Sequence, residues 1–144
     1  MGIAALVTWL LTAVGGFVML GTWIAKGALR EPRTSHLPPG VVFGHFALAA
    51  AGLVVWIIYL VTDTKALAWA AFVLLVPVAL LGFVMLTRWI PTYRAKASVT
   101  AGASAAGPEP AEKHFPVALV GGHGLIAVVT VVLVLLTTLG VGGS

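Results

Sequence analysis

Apolar residues in this chain fall in four long runs, about Ile3 to Ile24, Val41 to Val61, Ala66 to Ile90 and Pro116 to Leu139. Each is longer than the roughly 20 residues that cross a bilayer as a helix. Hydrocarbon offers no water to bond a free N–H or C=O, so runs this long and this apolar predict helices. The fold class predicted is all-α integral membrane: a four-transmembrane-helix bundle forming a single membrane domain over residues 1–144. The spans take up most of the chain and leave no stretch for a separate soluble domain. Pro38, Pro39 and Pro116 fall in the first turns of helices two and four, where a missing N–H costs little. Pro77, inside helix three, predicts a kink.

The same two phrases occur twice. Gly16 to Ile24 reads GFVMLGTWI and Gly82 to Ile90 reads GFVMLTRWI; His36 to His45 reads HLPPGVVFGH and His114 to His123 reads HFPVALVGGH. Val, Leu and Ala recur everywhere in so apolar a chain, but matched Met, Trp, Pro and His in one order do not. The chain reads as a duplication of a two-helix unit, repeat 1 at about 1–62 and repeat 2 at about 66–144. With two spans per unit, both copies insert the same way up, so the duplication is parallel and its axis runs along the membrane normal. The second copy is twelve residues longer between its phrases, since the first phrases lie 66 apart and the second 78 apart. The extra length falls in Tyr93 to Lys113, whose SVTAGASAAGPEPAEK tract predicts a flexible cytoplasmic linker, 93–113. Trp23 and Trp89, at matching helix ends, predict interface anchors.

Composition narrows the class further. The chain is 60% hydrophobic and 8% charged, far below the roughly 25% charged residues of soluble domains. Lys26, Arg30, Arg33, Arg88, Arg94, Lys96 and Lys113 flank the first and third connections, against Lys65 alone at the second. The positive-inside bias therefore predicts a multi-pass protein of the cell (plasma) membrane with both termini outside. Charges that flank spans give no footing for a nucleic-acid partner; the bilayer is the partner they imply. Residues Met1 to Val7 carry no charged side chain, so the first run is expected to be a span of the mature fold rather than a signal peptide. With no cysteine, disulfides, thiolate metal sites, iron–sulfur clusters and covalent C-x-x-C-H haem attachment are excluded.

All four histidines lie in the second repeated phrase. His45 and His123 fall six or seven residues into helices two and four, roughly 9–10 Å below the membrane surface at 1.5 Å per residue. Each follows a glycine, Gly44 and Gly122, which lets a neighbouring backbone or a flat ligand come close. Below them run Ala49, Gly52, Trp56 and Tyr59 on one helix and Ala127, Thr130, Val134 and Thr137 on the other. Gly16 and Gly82 reach a similar depth on the other two helices. An ionisable group inside a span is a functional candidate by default, although small residues also serve plain helix packing. Two imidazoles from facing helices supply both axial bonds of a b-type haem, and His45 and His123 are the predicted iron ligands. Its propionates would point toward the cytoplasmic face, where Arg88, Arg30, Arg33, His36 and His114 are available. Arg88 replaces Thr22 of the first copy and also suits a snorkelling helix-end charge. His36 and His114 have three uses open to them: assisting propionates, binding a surface metal, or standing solvated in the loops.

On His45 and His123 with their preceding glycines, plus Gly16 and Gly82, the chain resembles the small four-helix membrane cytochromes b. The resemblance covers the architecture of the bundle and implies haem b and electron transfer with quinol or a membrane redox partner. Those proteins often carry a second histidine pair near the opposite face, and this sequence has none.

Other readings stay open. Met19 and Met85, one turn from Gly16 and Gly82, would complete a His/Met copper site for binding or transport. A cofactor-free accessory or structural subunit of a larger membrane complex, such as a respiratory one, fits the small size. The spans hold no central Asp or Glu, which argues against the usual proton-relay transporter. The sequence leaves enzymatic turnover, and assembly as a homo-oligomer or larger complex, undecided.

Overall fold

A computed structural model describes residues 1–31, 35–100 and 109–141, with side chains from 35 to 98 in the middle segment. Four helices account for nearly all of it: α1 (Gly2–Ala25), α2 (Pro39–Thr62), α3 (Lys65–Thr100) and α4 (Val117–Thr138), with a short 3-10 turn, η1 (Ala111–His114), before α4. All four helices are long and apolar enough to cross a membrane. They form a four-helix bundle of a multi-pass membrane protein. Large apolar side chains such as Ile3, Val14, Val61 and Leu125 stand more than 60% exposed on its outer faces, the surface that lipid covers.

Helix ends follow local chemistry. Pro38 and Pro116 are the N-caps of α2 and α4, with nearly identical extended backbones (φ −62°, ψ 132° and φ −66°, ψ 129°). α2 stops at Asp63, whose left-handed φ of 52° turns the chain at once into α3. Its N–H bonds back to the Tyr59 carbonyl at 2.8 Å, and a short polar side chain tolerates that backbone better than most.

α2 packs chiefly on α3 and α1 on α4, while α1–α2 and α3–α4 touch less. The helices of one repeat are thus married to those of the other. Burial repeats with the sequence offsets. Ala5 matches Ala71, Trp9 matches Leu75 and Trp23 matches Trp89, each 66 residues apart and each buried. At the 78-residue offset, Leu37 matches Phe115, Gly52 matches Thr130, and Trp56 matches Val134.

Two buried clusters fill the bundle. One, toward the termini, is built on Ala5, Trp9, Trp56, Ala71, Leu75 and Val134. The other, at the end bearing the α1–α2 and α3–α4 connections (the loop end), joins Trp23, Ala28, Leu37, Trp89, Ala111 and Phe115. In the terminal cluster the copies differ: repeat 1 supplies two indoles where repeat 2 supplies Leu75 and Val134. Trp9 lies over Gly52, where a Cβ would come within 3.1 Å of its ring. The Trp56 indole N–H bonds the Gly2 carbonyl at 3.2 Å.

Two expectations need revision here. The linker predicted over 93–113 is helical through Thr100, and its last part is the ordered turn η1; residues 101–108 lie outside the described residues. Pro91 removes one backbone bond, but the helix survives it because its next turn is anchored. Thr92 is buried, and Tyr93 stacks on Trp89 with ring centres 5.2 Å apart. Trp23 and Trp89 are core residues rather than interface anchors. Each buries its ring and gives its N–H to a polar partner, Ser35 Oγ at 3.0 Å and the Glu112 carbonyl at 3.2 Å respectively.

Candidate functional site: two imidazoles facing within the bundle

His45 and His123 each lie six residues into their helices, α2 and α4. Their ring centres are 6.4 Å apart, with the planes inclined at 51°. The residues below them, predicted to share the inward face, do so: Gly52, Trp56, Thr130 and Val134 are buried, and Ala49, Tyr59, Ala127 and Thr137 half-buried.

Each imidazole is held in the same way by the other repeat. His45 Nδ1 bonds the carbonyl of Val78 on α3 at 2.9 Å, and His123 Nδ1 bonds the carbonyl of Thr12 on α1 at 2.9 Å. Thr12 and Val78 are themselves 66 residues apart. A carbonyl can only accept, so Nδ1 carries the hydrogen in both rings. In the neutral ring the lone pair then lies on Nε2, which has no hydrogen-bond partner among the described residues. A bond that fixes the tautomer and orients the ring is what a ligating histidine ordinarily receives from its surroundings.

The glycines divide into two kinds. A Cβ on Gly16 would lie 3.3 Å from His123 Cε1, and one on Gly82 would lie 3.5 Å from His45 Cε1. These two make room for the imidazoles, and each does so for the histidine of the opposite repeat. Gly15, not singled out by sequence reasoning, does the same: its Cβ would lie 3.4 Å from His123 Nδ1. Leu81 stands at the matching place in repeat 2, so the phrase comparison gave no signal for it. No neighbouring backbone closes on Gly44 or Gly122. A Cβ on Gly44 would meet only Leu81 at 3.8 Å, and one on Gly122 would meet nothing within 4 Å.

The remaining candidates gather at the loop end, apart from the pair, around a residue the sequence did not flag. Glu112 is fully buried. Its Oε1 accepts the His36 N–H at 2.6 Å and its Oε2 accepts the Ser35 hydroxyl at 2.9 Å. His36 Nδ1 lies 3.0 Å from Thr92 Oγ1 and 3.2 Å from Glu112 Oε1, while the rest of that side chain is exposed. Arg88 Nη1 donates to the His36 carbonyl at 3.3 Å. Glu112 thus ties the first connection to the third across the mouth of the bundle. Its position in a Pro/Ala/Gly tract made it look like solvated linker. The neighbouring His114 takes a different partner, the Ala111 carbonyl of its own turn at 3.2 Å, so the interface histidines do not repeat each other's environment. Met19 and Met85 are half-buried against the loop-end cluster.

Among the described residues no three His, Asp or Glu side chains gather as a metal cage. The fold and site define a multi-pass helical membrane protein with a facing histidine pair inside its bundle. In comparisons with known proteins, no family model, no curated protein and no solved structure matches the chain.

Proposed function

We propose that the protein is a b-type haem electron carrier of the cell membrane, in which His45 and His123 would hold the iron. The observation that carries this reading is the 6.4 Å between ring centres. A ring-centre spacing of this order would let one ion be shared by the two imidazoles. Two ligands alone do not satisfy a bare divalent ion, which takes four or more. They would suffice for an iron that a porphyrin carries, since the porphyrin supplies the remaining bonds.

Bound there, haem would supply one-electron chemistry. The chain's own contribution is to hold both Nδ1–H groups on backbone carbonyls, to keep water away with the two buried clusters, and to exclude side chains with Gly16 and Gly82. The facing pair has no carboxylate beside it for acid–base work, which favours electron exchange with quinol or a partner protein over substrate turnover. The basic connections argue for the loop end in the cytoplasm and both termini outside.

A visible spectrum of the purified protein is the test. A Soret band that shifts on dithionite reduction, with about one haem per chain, is the expected result. A colourless protein that also fails to take up added haemin would overturn the reading. Copper at the histidine pair would then be the next candidate, read by metal analysis.

A further inference from the structure

The histidine pair lies close to one end of the bundle only. His45 is six residues from the loop end of α2 and seventeen from its other end, about 9 Å against about 26 Å of helix. On α4 the corresponding lengths for His123 are about 9 Å and about 22 Å. The longer path is filled by the terminal cluster, with Trp9, Trp56, Leu75 and Val134 all buried. Electron exchange weakens steeply with distance, so a group on the pair is connected to the loop face and insulated from the terminal face.

That near face is strongly positive. Lys26, Arg30, Arg88, Arg94 and Lys96 are exposed there and Lys113 is half-buried. The acids that could offset them are few. Glu112 is turned inward and fully buried, bonded to Ser35 and His36. Glu109 pairs with Lys113, whose ammonium holds its carboxyl below the usual glutamate range. Glu31 is the other exposed acid of this face. The terminal end, by contrast, has Asp63 and Lys65 side by side in the α2–α3 turn. Positive-inside insertion accounts for basic residues at this end. The Glu112 carboxylate, held inward on Ser35 and His36, is not available at the surface to a cation of this face.

We propose that the loop face is a docking surface for an acidic, water-soluble one-electron carrier protein, and that the protein exchanges electrons through this face alone. The inference rests on the haem reading for its electron step, while the docking itself depends only on surface charge. A cleft or face of one sign raises encounter rates by roughly 10–1000-fold, and salt abolishes the gain.

The experiment uses the full chain in nanodiscs of phosphatidylcholine, which leave both faces accessible, with reduced acidic ferredoxin as the probe. Haem reduction should be fast at low salt and fall at least tenfold by about 0.5 M salt, beyond several screening lengths. Charge reversal at Lys26, Arg94 and Lys96 together should produce a similar loss while haem content stays unchanged, and Lys65→Glu should change nothing. Calorimetric binding of oxidised ferredoxin should follow the same pattern and persist in haem-free His45→Ala protein. Rates and binding indifferent to salt and to the triple reversal would overturn the docking surface even though the haem is present. An effect of the reversal that appears only when phosphatidylglycerol is added would reassign the face to anionic lipid. Absence of haem with binding intact would leave the docking surface standing and remove the electron step.

Discussion

His123 and Thr12 are 111 residues apart in sequence and are joined by a 2.9 Å bond from Nδ1 to the backbone carbonyl. The Thr12 carbonyl is the one that, in a regular helix, also accepts from the N–H of Gly16 four residues on. Gly16 is in turn the residue whose missing Cβ leaves room for the same imidazole. His45 repeats this arrangement on Val78 and Gly82. One helical turn therefore provides both the acceptor that orients each ring and the space the ring occupies.

Substitution of these glycines should act through the imidazoles. Gly16→Ala brings its methyl to 3.3 Å of His123 Cε1 and Gly82→Ala to 3.5 Å of His45 Cε1, so the first should be the more disruptive. Valine at either site should push the ring off its carbonyl at about 1–3 kcal/mol, the usual cost of overpacking. Gly122→Ala, with nothing within 4 Å of the added methyl, should leave the thermal midpoint of the helical circular dichroism unchanged or slightly raised. Equal losses for Gly16→Val and Gly122→Ala would contradict this division.

Glu112 should behave as a structural clasp. Glu112→Ala removes the acceptor of the Ser35 hydroxyl and of the His36 N–H, at about 1–3 kcal/mol. Glu112→Gln keeps one acceptor oxygen and should fall between wild type and alanine. Unfolding in graded denaturing detergent measures the ranking. Limited proteolysis should cut Glu112→Ala faster than wild type between α1 and α2.

The existence of the helices and the duplication were legible because they depend on run length and on matched Met, Trp, Pro and His. The meeting of His45 with His123 followed from the same symmetry. The roles of Trp23 and Trp89 did not, because a tryptophan near a span end has the same sequence signature whether it faces headgroups or core. The buried ends of both indoles are decided by Ser35 and Glu112, which lie 12 and 23 residues further along, in the connections rather than in the spans. Glu112 was hidden by its surroundings: a Pro/Ala/Gly tract predicts linker, and a single inward turn of η1 is too short to leave a periodic trace.

The terminal cluster should depend more on repeat 1 than on repeat 2. Trp56→Ala removes a fully buried indole and should cost about 3–5 kcal/mol. Val134→Ala, at the matching place, deletes far less volume and should cost markedly less. Gly52→Ala sets a methyl 3.1 Å from the Trp9 ring and should be destabilising although it is a small change in a helix. Thermal midpoints of the three variants in one detergent would give the order; a harmless Gly52→Ala would mean that Trp9 has room to move.

Orientation is open to a direct check, since the chain has no native cysteine. The proposed topology expects a probe at Thr64→Cys, in the α2–α3 turn, to be labelled by an impermeant maleimide from outside the cell. Ser98→Cys, exposed near the end of α3, should react only after the membrane is opened. The reverse pattern would invert the protein and place the docking face outside.

The sharpest test ranks the four histidines. His45→Ala or His123→Ala should remove most bound haem, because each ring would supply one of the two bonds by which the chain holds the iron. Spectra should therefore be read with haem stoichiometry, so that a weakly held remnant is not counted as retention. His36→Ala removes an imidazole whose Nδ1 faces Thr92 and Glu112, but its backbone N–H still bonds Glu112. It should keep haem content and at most shift the potential through neighbouring charge. His114→Ala loses only a bond to Ala111 of its own turn and should be milder still. If the interface histidines proved essential and the facing pair dispensable, the site would move from the bundle interior to the loop end. The 6.4 Å between the facing rings would then be a consequence of packing alone.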